Sequence, residues 1–322
     1  MRLAIVGCGL IGTKRVAAAK GHEIVMVCDT DPARRAALAA AASARAVADW
    51  REAIAGEIDA AVIATPNDTL AVIALAAVEA GRHVLIEKPG ARRAQEMRVV
   101  AEAARRRGVV VKVGFNHRFH PAIARAKALV AAGDIGPIMF MRGRYGHGGR
   151  LGYEKEWRFD PQISGGGELI DQGSHLIDLA RWFLGDLKVA FGVAPSYFWP
   201  GRVDDNCFLA LTSASGQMAW LHASWTEWRN QFSLEIMGRT GKLTVDGLGG
   251  SYGVERLTHH RMLPQMGVPE SSQWDYPLPD RSFADEFENF VAAIERGAPL
   301  IGDGDDAVAA LEVIQSVYEQ AP

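Results

Sequence analysis

The strongest constraint on this chain lies at its amino terminus. An apolar run, Arg2–Val6, breaks into Gly7-Cys8-Gly9-Leu10-Ile11-Gly12 and then into a helical segment reaching about Lys20. A second apolar run, Glu23–Cys28, ends on Asp29. A strand that turns at once into a helix needs glycine for specific reasons. Gly7 makes the tight turn, Gly9 lets a pyrophosphate approach the backbone, and Gly12 lets helix pack on strand. Leu10 and Ile11 open the helix, whose first N–H groups and partial positive charge suit phosphate oxygens. A carboxylate about 20 residues further on, here Asp29, is placed to accept hydrogen bonds from the adenosine ribose. A lone GxGxxG says little, but between strand and helix and followed by the acid it predicts a dinucleotide site. Asp29 would repel a 2′-phosphate, and Thr30, Asp31 and Pro32 follow it, so NAD is expected over NADP. Arg34 and Arg35, which would favour the phosphate, read as the solvated face of the alanine-rich helix Pro32–Ala42.

The alternation continues. Strand-like runs at 58–65, 83–86 and 109–113 alternate with helical stretches reaching about Ala80 and spanning 94–107, with Asp68 or Thr69 expected to cap the first. Units of this length imply a doubly wound parallel sheet, in which ligands lie beyond the carboxyl ends of the strands. Thr65-Pro66-Asn67, Glu87-Lys88-Pro89 and Gly114-Phe115-Asn116-His117 all begin at such ends and are expected to line one crevice with the glycine turn. A helix after Pro121 ends near Gly133, and from Pro137 the pattern changes. Short strand-like runs follow at 138–145, 188–197, 207–212, 217–225, 232–237 and 242–245, then two closing helices at 283–296 and 305–318. This predicts two domains: residues 1–118 with the parallel sheet, and 119–322 as an α+β domain with a mostly antiparallel sheet.

Within the second half, Ser164-Gly-Gly-Gly-Glu-Leu-Ile-Asp-Gln-Gly-Ser-His-Leu-Ile-Asp178 concentrates the reactive side chains. Three glycines let backbone pass close to a ligand. At roughly 100° per residue, Leu169, Leu176, Ala180 and Phe183 share one side of a helix at 165–184, and Glu168, Asp171, His175 and Asp178 share the other. An amphipathic helix with a solvated polar face is the simplest account of that stretch alone. Those four side chains are also a conceivable metal set, but no HExxH accompanies them, and no metal is expected.

Composition excludes several classes. The 322 residues are 48% apolar and 23% charged with formal net charge −3, which gives no footing for nucleic acid or an anionic membrane surface. No apolar run approaches the ~18 residues of a membrane span. Cys8, Cys28 and Cys207 are odd in number and lack CxxC spacing, so reduced thiols in a cytoplasm are expected. With strand signal from Arg2, no leader peptide is expected.

The N-terminal GxGxxG, Glu87-Lys88-Pro89, Gly114-Phe115-Asn116 and the Gly-Gly-Gly-x-x-x-Asp-x-Gly-x-His-x-x-Asp block ending at Asp178 together resemble the glucose–fructose oxidoreductase and inositol dehydrogenase family. The resemblance covers essentially the whole chain and is weakest after about Gly250. It implies a Rossmann domain followed by a sheet domain that assembles dimers or tetramers through its open face. It also implies that Lys88, Asp171 and His175 are catalytic, that Asn116, His117 and Asp178 contact cofactor or substrate, and that the Lys88–Pro89 bond is cis. His117 departs from relatives with another residue there.

The implied reaction is hydride transfer between a secondary alcohol carbon of a sugar, cyclitol or sugar derivative and nicotinamide. His175 is the natural base, Lys88 would stabilise alkoxide charge, and Asp171 would orient a hydroxyl or the imidazole. The sequence leaves open whether Lys88 or His175 takes the proton. Residues 142–158 carry five basic side chains against two acidic ones. Arg150, Trp157 and Arg158 are therefore expected at the substrate, with Tyr153 or Trp157 stacking on a ring and an anionic substrate favoured. Two other readings keep the dinucleotide: a redox-neutral enzyme that oxidises and re-reduces one substrate (epimerase, lyase or glycosidase-like), and a non-enzymatic sensor.

Overall fold

The computed structural model describes residues 1–265 and 267–320. They divide into two compact units, one formed by residues 1–116 and 283–308, the other by the described residues of 117–282 and by 309–320.

In the first unit the order is β1 (Arg2–Val6), α1 (Leu10–Ala18), β2 (Glu23–Cys28), α2 (Pro32–Ala42), β3 (Arg45–Val47), α3 (Trp50–Ala55), β4 (Ala60–Ile63), α4 (Asn67–Glu79), β5 (His83–Ile86), α5 (Ala94–Arg107) and β6 (Val111–Val113). All pairs are parallel, in the sheet order β3-β2-β1-β4-β5-β6. The direction of winding reverses between β1 and β4, which is where such sheets open a crevice. Leu3, Ile5, Val27, Val62 and Leu85 form the core together with Phe287 and Phe290 from the returning segment. The sequence reading placed everything after residue 118 in the second domain, whereas residues 283–308 return to complete this core.

The second unit runs through α6 (Pro121–Ala132), β7 (Ile138–Gly146), α7 (Pro161–Ser164), α8 (Glu168–Asp171), α9 (Gly173–Leu184), β8 (Leu187–Val193), β9 (Asn206–Ser213), β10 (Met218–Ser224), β11 (Gln231–Gly238), β12 (Gly241–Asp246), β13 (Glu255–Arg261) and β14 (Ser271–Tyr276). Two helices follow in the chain, α10 (Ser282–Arg296) and α11 (Gly304–Gln320). The eight-stranded sheet has the order β14-β13-β12-β11-β7-β10-β9-β8 and is antiparallel except for the β7–β10 pair. One face carries α9: a Cβ at Gly143 would lie 3.1 Å from Leu221 and 3.2 Å from Leu176, so glycine in β7 makes room for the helix. On the other face Phe140, Met218 and Trp220 are exposed.

Elements with no counterpart in the sequence analysis include β3, the six-residue α3, β13 and β14. β3 is short, and β14 alternates exposed and half-buried residues at the sheet edge, so neither carries an apolar run to detect.

Candidate active site

The glycine turn is built as its spacing requires. Gly7 has φ +100°, and a Cβ there would lie 2.3 Å from the Ala64 carbonyl oxygen. A Cβ on Gly12 would lie 1.9 Å from the Gly7 carbonyl, so α1 can seat only on a bare backbone. Gly9 differs, because its Cβ position opens into space with nothing within 4 Å. Leu10 begins α1 with no side-chain cap and no acid in the first turn, and is exposed. Donors at that end are thus left for an external anion. Asp29 is pinned beside the turn: one carboxylate oxygen accepts from the Cys8 N–H at 2.7 Å, the other from the Asp31 N–H at 2.8 Å. Each oxygen keeps a lone pair for a ribose hydroxyl. These residues fit a dinucleotide.

The neighbouring strand ends are in step. Ala64 N donates to Val6 O at 2.7 Å, Glu87 N to Ile63 O at 2.9 Å and Gly114 N to Ile86 O at 2.8 Å. The three loops expected beyond the strands therefore leave one edge of the sheet together. Thr65 accepts from the Thr69 hydroxyl at 2.9 Å, Pro66 is exposed and Asn67 is buried. Neither Asp68 nor Thr69 caps α4; Pro66 occupies that position with no side-chain cap. Lys88 is half-buried, and its bond to Pro89 is cis.

Glu87 is placed differently from the expected cofactor contact. Arg15, fully buried on α1, donates to it through Nε at 2.6 Å and to Glu286 at 2.6 Å. Burial pushes the Glu286 carboxyl up, with Arg15 and Lys112 opposing. Glu87 therefore serves in an internal ion cluster that fixes the backbone next to Lys88. A single arginine in an otherwise mixed helix gave no sequence signal for this cluster.

In the second unit the expected continuous helix is interrupted at Gln172, between α8 and α9. Its polar side is not solvated: Glu168, His175 and Asp178 are all buried. An acid from far along the chain docks the preceding glycine loop. Asp204 accepts from the N–H groups of Gly167 at 2.9 Å and Leu169 at 2.7 Å, and from the Tyr318 hydroxyl at 2.8 Å. Burial pushes the Asp204 carboxyl up to about 6, against those three donors.

His175 lies against a cluster of rings. His117 stacks on it with centroids 3.8 Å apart, and Tyr145 meets His117 at 5.1 Å. Burial holds the Tyr145 hydroxyl well above its ordinary range; it is hydrogen-bonded to Tyr252, to which Gln172 donates at 3.3 Å. Asp171 is partly exposed and accepts from Arg158 Nε at 3.3 Å. Asp178, expected at the ligand, is buried and accepts a fork from Arg118, which donates to its two oxygens at 2.9 and 2.6 Å.

Three of the five basic side chains in the arm are paired with carboxylates of the chain itself. Arg142 pairs with Glu235, Arg150 with Glu156, and Arg158 with Glu156 and Asp171. The excess positive charge read from residues 142–158 is therefore a poor argument for an anionic substrate. Tyr153 is buried among Phe159, Trp199 and Trp225, which removes it as a stacking platform. Trp157 is half-buried under the Arg158 guanidinium, and Arg150 is exposed. The three cysteines are buried free thiols; burial pushes Cys8 up to about 12 and Cys28 to about 11. Among the described residues no group of three His, Cys, Asp or Glu side chains is arranged to hold a metal.

Fold and site together define a class: proteins that join a dinucleotide-type parallel sheet to a mostly antiparallel sheet bearing an acid–imidazole helix. Residues 1–115 match the family described as "Oxidoreductase family, NAD-binding Rossmann fold", and residues 123–244 match "GFO/IDH/MocA C-terminal domain". The chain belongs to the GFO/IDH/MocA oxidoreductase family. It is 38% identical to levoglucosan dehydrogenase of Pseudarthrobacter phenanthrenivorans in an alignment covering 62% of this chain and 58% of that one. It is 27% identical to an inositol 2-dehydrogenase of Rhizobium meliloti over 99% of this chain and 98% of that one. A solved levoglucosan dehydrogenase complex with NADH superposes with TM-score 0.87 at 25% identity, covering 100% of this chain and 98% of that one.

Proposed function

We propose that this protein is an NAD-dependent dehydrogenase that moves a hydride between a secondary alcohol carbon of a sugar, cyclitol or sugar derivative and nicotinamide. The observation that carries the reading is the contrast within the glycine turn. Gly7 and Gly12 are closed in by backbone, while Gly9 faces open space beside Asp29. The substrate class is supported by relatives named for levoglucosan, inositol and D-glucosides. Asp29 supports NAD over NADP, although one relative is named a D-xylose 1-dehydrogenase using NADP.

Bound nicotinamide would supply the hydride acceptor. The cofactor contacts assigned are Gly7, Gly9, Leu10, Ile11, Gly12, Asp29, Thr65, Pro66, Asn67, Lys88 and Asn116, with Glu87 acting through Arg15. An alcohol gives up hydride only as its proton leaves. His175 takes that proton, because an imidazole with a reference pKa of ~6.5 suits neutral pH. Lys88 stabilises the developing alkoxide, and Asp171, steadied by Arg158, orients a substrate hydroxyl. Arg158 and Trp157 complete the substrate contacts. The exposed face holding Phe140, Met218 and Trp220 is assigned to a homodimer or homotetramer contact. Buried free thiols support a cytoplasmic location.

The test is incubation with NAD or NADP and a panel of levoglucosan, inositols, aldoses and glucosides, following absorbance of the reduced cofactor. Reduction by at least one alcohol is expected, together with its loss in Lys88→Met and His175→Gln. The double variant should lose little more than the worse single one. No turnover with any alcohol overturns the dehydrogenase reading, and tightly co-purifying NAD in that case points to redox-neutral chemistry.

A further inference from the structure

We infer that His117 is a positioning residue for His175: the stacked ring fixes the His175 imidazole, and the two rings take up protons as one coupled unit. This rests on the reading of His175 as the proton acceptor. The rings lie 3.8 Å apart between centroids and 26° from parallel, and are only 4% and 5% exposed. His117 is also wedged by other rings, meeting His120 edge-on at 5.4 Å, Tyr145 at 5.1 Å and Phe232 at 5.9 Å. It cannot swing away without disturbing that cluster, so it presents a fixed flat surface to His175.

Two imidazoles face to face accept one proton readily and a second only against its repulsion. The charged and titratable groups around them come from every packed element. Beside α6, His120 is held by Glu255 of β13 at 2.9 Å, and Arg118 is held by Asp178 of α9. Tyr145 of β7 and its partner Tyr252 flank the rings, and the carboxylates of Glu168 and Asp171 act on both tyrosines. The stack opposes a second proton on the pair. Above the first step both rings are neutral and His175 is open to a proton from the alcohol. Below it, the added proton closes the acceptor.

The experiment is an NMR pH titration of the full chain with isotope-labelled histidine, comparing wild type, His117→Phe and His175→Phe. In wild type the two rings should titrate in two steps separated by more than about one pH unit. In each variant the remaining ring should titrate in a single step near the upper one. Identical midpoints in wild type and in both variants would overturn the coupling. With any alcohol from the panel that reduces NAD, His117→Ala should lower kcat by about tenfold, and His117→Phe, which keeps a flat ring, should recover most of it. A Phe variant no better than the Ala variant, or an Ala variant equal to wild type, overturns the positioning role. Full turnover by His175→Gln instead sinks the base assignment, and the titration still judges the coupling on its own.

Discussion

Tyr318 donates its hydroxyl proton to Asp204 at 2.8 Å, and Asp204 in turn accepts from the backbone of Gly167 and Leu169. The last helix of the chain thus ties down the loop from which α8 and α9 start. Tyr318→Phe removes one charge-assisted hydrogen bond and is expected to lower stability by about 1.5–3 kcal/mol in urea denaturation.

The same carboxyl gives a pH signature. Its folded value of about 6 lies above the ordinary 3.8, so between those values the folded state binds more protons than the unfolded chain. Its contribution is fully present below about pH 4 and falls as pH rises through about 6, by roughly 3 kcal/mol. Denaturation of wild type and Asp204→Asn across that window should show the wild-type advantage shrinking with rising pH. A difference that is flat from pH 4 to 7 contradicts this.

Arg15 stands between Glu87 and Glu286 in the interior. Removing it leaves both carboxylates without their hydrogen-bonded counter-ion, so Arg15→Met should cost about 3–5 kcal/mol. Replacing all three side chains by Met, Met and Leu should recover most of that, since an apolar set of similar volume carries no desolvation penalty. Denaturant midpoints of the single and triple variants make the comparison.

The glycines of the turn should separate folding from binding. Gly12→Ala drives a methyl to 1.9 Å from a carbonyl oxygen and should unfold or strongly destabilise the first unit. Gly9→Ala meets nothing in the free protein and should melt like wild type while weakening NADH binding at least about tenfold. Thermal melting and quenching of protein fluorescence by NADH read the two effects.

Arg158 and Arg150 should differ as well. Arg158 touches Asp171, and Arg158→Ala should raise KM for the alcohol by about tenfold. Arg150 is exposed and paired only at the surface with Glu156, so Arg150→Ala should leave KM within about twofold.

Fold and site are most legible in the sequence where one residue type has one physical use. Gly7, Gly9 and Gly12 each had a distinct steric reason, and strands with continuous apolar runs declared the parallel sheet. Legibility falls where a side chain's meaning depends on a partner remote in the chain. Asp178 reads as an open carboxylate until Arg118 is seen beneath it, and Tyr153 reads as a ligand platform until Trp199 and Trp225 close around it. Glu255, which holds His120 and the first turn of α6, lies on a strand whose threonine, histidines and arginines give no apolar period. Local pattern reports local structure; pairing across the fold leaves no trace in spacing.

Residues 283–308 bring Glu286, Phe287 and Phe290 into the first unit. The nucleotide-binding unit therefore cannot finish its interior until residues 283–308 have been made, because one of the two counter-ions of Arg15 and two core rings come from that later segment. A fragment truncated at residue 118 should emerge with a bare hydrophobic seam and recruit chaperones or aggregate, whereas supplying the 283–308 peptide in trans should rescue its solubility.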